Sequence, residues 1–187
     1  MDPGTVRRSG VVVFLVGFHA LATGAGPLDD DPDDGGFGFT PPIVCQEING
    51  FEDYVPLPEP VLTADEKLLL YYRPRHFKTE PVGEKFRAHL TQDARIRRKG
   101  RKTVLRSEDA MVDYQVDAAP PPRLLYIRNT VSLKGLSPGE YELDVILHDR
   151  IGRSEPATRS VPFRVVLAES KRDPAPPDGP PGRQTDR

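Results

Sequence analysis

His148, Asp149 and Arg150 stand in a row within the segment LSPGEYELDVILHDRIGRSEPATRSVPFRVV, residues 136–166. A histidine beside a carboxylate can form a general base with its orienting partner, provided a nucleophile or a substrate proton lies within reach. The spacing argues against that use. Successive side chains of a strand point to opposite faces, so His148 and Asp149 do not meet if the strand runs through both. Asp149 followed by Gly152 is instead a turn arrangement, in which a carboxylate accepts from backbone N–H groups of the loop. The trio reads as a structural loop; an enzyme of unknown type using loop residues near His148 is the alternative.

Other chemistry-bearing residues are sparse. His76, His89 and His148 are far apart and show no His-x-x-x-His spacing, so no metal site is expected. Cys45 is the only cysteine and has no intramolecular disulfide partner. Flanked by Ile43, Val44 and Ile48, it reads as a buried thiol acting as a small hydrophobe, with intermolecular pairing as its other use. The aspartates of 29–34 resemble a calcium loop in composition only. Counting from any of them, the closing position that an EF-hand gives to glutamate holds Thr40, Pro41, Pro42, Val44 or Cys45. Serine elbows, phosphate loops and dinucleotide fingerprints are missing. No catalytic residue and no cofactor is assigned.

The densest functional signal is basic. Arg95, Arg97, Arg98, Lys99, Arg101, Lys102 and Arg106 lie in one run that no acidic residue interrupts. Such a run suits an anionic polysaccharide or another polyanion. It holds no aromatic residue on which bases could stack, so nucleic acid is not an expected partner. The competing use is protective, since charges on a hairpin blunt a sheet edge against aggregation.

These residues must be carried by a small framework. The chain has 187 residues with 21 Pro, 16 Gly and no Trp, and much of the Pro and Gly lies at its ends. Arg7 and Arg8 precede the apolar stretch VVVFLVGFHALA, and Ala20 and Ala22 fit the −3 and −1 positions of a cleavage site before Thr23. Residues 1–22 therefore read as a signal peptide, too short in its apolar run for a membrane span. Losing Arg7, Arg8 and Asp2 with it shifts the net charge from −2 to −3. Residues 23–42 read as an acidic Gly/Pro-rich linker and 169–187 as a disordered Pro-rich tail. One domain is expected between them, over residues 43–168.

Within the domain Tyr141, Leu143, Val145 and Leu147 alternate with Glu142, Asp144, Ile146 and His148, the period of a half-buried strand. Val161, Phe163, Val165 and Leu167 repeat it, and Pro162 places that strand at an edge or bulge. Leu124–Leu133 is a third strand, and residues 95–105 form a hairpin turning at Lys99–Gly100, preceded by a strand from Phe86 to Leu90. Thr63-Ala-Asp-Glu66 has capping-box spacing and could open a helix, but the continuous run LLLYY favours a buried strand over 67–73. Short strands between Pro, Gly and charged turns, without a long amphipathic helix, make the fold all-β: an antiparallel immunoglobulin/fibronectin-like β-sandwich with disordered flanks.

Two resemblances attach to these residues. LSPGEYELDV resembles the penultimate strand of immunoglobulin-like and fibronectin-type sandwiches, where a tyrosine ties a corner through its hydroxyl; Tyr141 after Gly139 would be that tyrosine. The order CQEINGFEDYVPLP, LLLYYRPRHF, FRAHLTQDARIRRKGRKTV and the closing segment is similar to a set of uncharacterised exported β-sandwich proteins of planctomycete-type bacteria. Cys45, Gly50, Phe51, Tyr54, Tyr71, Phe77, Gly139, Tyr141 and Asp149 are the matching positions, while 106–123 departs from the pattern. The resemblance implies the fold and export, and no activity. The expectation is a secreted or periplasmic, non-catalytic binding or structural module of the cell envelope. It would contact an anionic polymer or an envelope protein, and keep no membrane span once the leader is gone.

Overall fold

The computed structural model describes residues 35–168. The expected leader, most of the linker and the tail lie outside them. The described chain is built from twelve strands: β1 (Gly38–Phe39), β2 (Ile43–Gly50), β3 (Asp53–Pro56), β4 (Val61–Thr63), β5 (Lys67–Tyr72), β6 (Pro74–Arg75), β7 (Glu80–Val82), β8 (Lys85–Arg98), β9 (Val104–Ala118), β10 (Ile127–Ser132), β11 (Gly139–Asp149) and β12 (Ala157–Val166). A smaller sheet has the order β10-β5-β2-β3. The larger, curled sheet runs β4-β12-β11-β8, with β9 on the far side of β8 and β7 continuing the line of β11 along it. All pairings are antiparallel except β12 with β4.

The alternation of β11 and β12 explains how the two sheets close on one core. Tyr141, Leu143, Val145 and Leu147 face inward from β11, and Val161, Phe163 and Val165 from β12. They meet Val44, Leu68, Leu70, Tyr72, Ile127 and Val131 of the smaller sheet in a single cluster. The run LLLYY is apolar throughout because β5 is covered on both faces. Leu68, Leu70 and Tyr72 enter this core, while Leu69 and Tyr71 join Cys45, Ile48, Phe51, Tyr54 and Tyr126 in a second cluster on the outer side. A strand with two covered faces cannot show period-2 patterning.

A fully buried polar contact crosses the core. The Tyr72 hydroxyl donates to Oε1 of Gln92 at 2.5 Å, joining β5 to β8, and both side chains are fully buried.

Some boundaries differ from those expected. The packed region begins before residue 43. Gly38 and Phe39 pair with Arg75 and Pro74, and Thr40 exchanges hydrogen bonds with Arg73. This sets the Phe39 ring 4.9 Å from that of Tyr72. A linker-like composition hides one aromatic anchor, and the anchor decides. Of the capping-box pair, the Thr63 N–H donates to Glu66 Oε2 at 2.6 Å, while the Glu66 N–H donates to the Thr63 main-chain carbonyl at 3.1 Å, the bond of a turn. It closes a turn between β4 and β5, and no helix follows. The hairpin arms are much longer than 95–105: β8 has 14 residues and β9 has 15.

Pro162 sits on a strand that is only partly an edge. Arg164, two residues on, donates its N–H to the Pro60 carbonyl on the β4 side. Backbone groups two residues apart face the same way, so the nitrogen of Pro162 also faces that side, beyond the start of β4, and removes no bond to β11.

Candidate functional site

The outer face of the larger sheet gathers the charged residues that alternate with the core positions of β8, β9 and β11. They close into pairs across the strands. Arg87 clamps Asp117 through Nε and Nη2 at 2.8 and 2.9 Å, and His89 Nε2 lies 2.9 Å from Asp113. Arg97 grips Asp144 through Nε at 2.8 Å and Nη2 at 3.0 Å, and also pairs with Glu142. Ser160 donates to the same Asp144 carboxylate at 2.6 Å. Burial works to raise the Asp144 carboxyl, but Arg97 and Ser160 outweigh it and hold it below the ordinary carboxylate range.

His148 belongs to this ladder. Its Nε2 lies 2.9 Å from Oδ2 of Asp93, on β8, while Oδ1 of Asp93 accepts from the Ala110 N–H at 2.8 Å. Ala110 has φ +48° within a bulge of β9, where three residues, 109–111, stand opposite Asp93 alone. Asp93 therefore holds the bulge with one oxygen and the histidine with the other. Burial works against its ionisation, yet the Ala110 and His148 contacts keep its carboxyl lowered. Arg150 donates to the Thr91 hydroxyl at 2.7 Å.

Asp149 points the opposite way and is 2% exposed. Its Oδ1 accepts from the N–H groups of Ile151 and Gly152 at 3.0 and 2.8 Å, and its Oδ2 from that of Lys78 at 2.7 Å. A Cβ on Gly152 would overlap this carboxylate. His148 and Asp149 serve two different faces and share no site.

The basic run is sorted by the fold into three groups. Arg97 is neutralised by Asp144 and Glu142, and Lys99 lies 3.5 Å from Glu140. Arg98 and Arg106 bond to neutral acceptors. The Arg98 guanidinium lies 4.5 Å over the Tyr141 ring and donates to the Pro138 carbonyl at 3.2 Å. Arg106 donates to the carbonyls of Ser132 and Lys134 at 2.7 and 2.5 Å, which also closes the free edge at the end of β10. Arg95, Arg101 and Lys102 are exposed and form no side-chain ion pair among the described residues.

Between Arg98 and Arg106 lies a half-open hollow of about 290 Å³, bounded also by Leu105, Leu136, Ser137 and Tyr141. The Tyr141 hydroxyl donates to the Ser137 carbonyl at 2.6 Å and fixes the corner that forms its floor. Gly139, with φ +149°, lies so close to Arg98 that a Cβ there would overlap the guanidinium. Sequence reasoning placed Arg98 on the hairpin but had no means of finding this hollow, because its other wall comes from residues 135–141.

Four of the nine positions expected from the resemblance gather, while Phe77 and Tyr141 belong to the other cluster. Cys45, Phe51, Tyr54 and Tyr71 lie in the second cluster, with Tyr54 stacked on Tyr71 at 4.4 Å and Tyr126 on its other side at 5.6 Å. The Tyr71 hydroxyl accepts from the Glu52 N–H at 3.0 Å. Cys45 is 3% exposed, and burial pushes its thiol up to about 11.

Among the described residues no group of three metal-ligating side chains occurs, and no helix is long and apolar enough to cross a membrane. The described residues form an all-β fold of two main sheets around a shared core, a two-stranded β1–β6 sheet and a basic hairpin. Comparison with protein families and with curated proteins finds no match to the chain.

Proposed function

We propose that the chain is an exported, non-catalytic binding module of the cell envelope that takes an anionic polysaccharide on the β8–β9 hairpin. The observation that carries this reading is the sorting of the basic run. Two adjacent residues of the turn, Arg101 and Lys102, present charges that no described carboxylate pairs, and Arg95 stands exposed opposite Asp144. Arg87 and Arg97, on the same sheet, are matched to carboxylates across the strands. Uncompensated charge concentrated on a fixed hairpin attracts a polyanion and makes the attraction salt-dependent.

The fold is read as immunoglobulin-like. In chain order β2, β5 and β10 take the places of strands A, B and E in one sheet, and β8, β9, β11 and β12 those of C, C′, F and G in the other. The Tyr141 hydroxyl bond four residues upstream supports this reading, since such sandwiches tie a corner in a similar way. Export rests on the leader-like residues 1–22, and the likeness to exported bacterial proteins rests on Cys45, Gly50, Phe51, Tyr54, Tyr71, Phe77, Gly139, Tyr141 and Asp149.

Binding of the full mature chain to immobilised polygalacturonate and dextran sulfate across a salt series tests the reading. Wild type should bind at low salt and release as salt rises. Arg101→Ser with Lys102→Ser should lower the slope of log affinity against log salt by about 1–2, by analogy with polyelectrolyte counterion release. No binding by wild type at low salt refutes the proposal. Recovery of secreted protein whose first residue is Thr23 tests the export part separately.

A further inference from the structure

We propose that the hollow between Arg98 and Arg106 is a binding subsite for one acidic sugar unit, its carboxylate or sulfate group held between the two guanidiniums. The inference rests on the polysaccharide reading above and adds to it a location and a chemistry of recognition.

The two arginines, unlike Arg87 and Arg97 of the same sheet, have no carboxylate partner among the described residues. Their acceptors among the described residues are main-chain carbonyls, so neither charge is cancelled. A guanidinium has five N–H donors. Arg98 uses one on Pro138, and Arg106 uses one each on Ser132 and Lys134, leaving four and three for a ligand. The same bonds, and the Tyr141 ring under Arg98, hold both groups in place before any ligand arrives. Such preorganisation reduces the ordering cost of binding, and a planar guanidinium matches the oxygens of a carboxylate or sulfate.

The remaining walls suit a sugar. Leu105, 52% exposed, and Leu136 offer apolar surface to the C–H face of a pyranose, and Ser137 adds polar main-chain and hydroxyl groups. An apolar lining with a few fixed polar groups is the usual make-up of a ligand site, and about 290 Å³ is at the small end of such sites. A lone phosphate would leave the leucines unused. Gly139 is required for the arrangement, since a side chain there would displace Arg98 from the corner.

Leu105 is the place to test this, because it lies at the mouth on the exposed face of an edge strand and supports no core contact. Titration of the full mature chain with galacturonate oligomers, with a sulfated oligosaccharide and with a neutral maltooligosaccharide reads affinity directly. Wild type should bind one or both acidic probes and not the neutral one; which acidic probe binds more tightly identifies the acid group. Leu105→Glu, which sets a carboxylate at the mouth, should weaken acidic-oligomer binding at least tenfold and clearly more than the neutral Leu105→Gln, which loses only the apolar contact. Leu105→Glu binding within twofold of wild type overturns the subsite. If that result is accompanied by loss of binding in Arg101→Ser/Lys102→Ser, the hairpin turn alone binds and the broader function stands. If wild type binds neither acidic probe nor the polymers, both proposals fall.

Discussion

Replacing Asp149 with alanine tests how the turn after β11 is held. The carboxylate accepts three backbone N–H bonds, from Lys78, Ile151 and Gly152, at 2.7–3.0 Å. Hydrogen bonds to a charged acceptor contribute about 1.5–3 kcal/mol each, and a buried donor left without a partner costs about 1–3 kcal/mol. The loop residues Ile151 and Gly152 are half-buried, so water can reach part of what is exposed and the sum stays below three full penalties. A loss of about 3–4 kcal/mol is expected, which lowers the Tm by roughly 10–15 °C for a domain of this size. Asp149→Asn keeps one acceptor oxygen for the loop pair but turns an NH2 group toward the Lys78 N–H, and should lose about half as much. Urea unfolding of the full chain, followed by tyrosine fluorescence and circular dichroism, measures both. A loss under 1 kcal/mol in the alanine variant would show that the three bonds do not hold the loop.

Tyr72→Phe removes the donor to Gln92 and leaves a buried amide oxygen unpaired, which should cost about 1–3 kcal/mol in the same assay. Adding Gln92→Leu should recover part of it. Asp93 and Asp144 have folded-state carboxyls lowered from 3.8, so the stability they contribute is present above that value and is lost as pH falls through the folded one. Asp93→Asn and Asp144→Asn should each be less stable than wild type at pH 7 and lose less stability on acidification, as read from urea midpoints at pH 7, 5 and 3. Cys45, with its thiol near 11, should react with a thiol reagent at pH 8 about a hundredfold more slowly in the folded chain than in urea, from its thiolate fraction alone. Equal rates would place Cys45 at the surface.

Much of the strand framework was legible locally. Residues 141–147, 161–165 and 127–132 each carry one covered face and one wet face, and that environment writes a period of two into the chain. Where two faces are covered, as in β5, or where a bulge breaks the alternation, as at 109–111 in β9, the period disappears. That is why β9 was not anticipated as a long strand: its first half is exposed on both sides and its register shifts opposite Asp93.

The chemistry of the side chains was harder to read than their faces. From the sequence alone come the alternation of β11 and β12, the turn role suited to Asp149 and Gly152, a tyrosine placed for a corner, a solitary apolar cysteine and a basic run without carboxylates. Only the tertiary structure decides who meets whom. It pairs His148 with Asp93, 55 residues away, rather than with its neighbour. It neutralises Arg97 with Asp144, and brings Arg98 and Arg106 together with the Ser137–Tyr141 corner. The physical reason is that local pattern reports the solvent on each face of a strand, whereas a partner is set by register between strands far apart in the chain. A difference of one residue in that register reverses which face every side chain occupies.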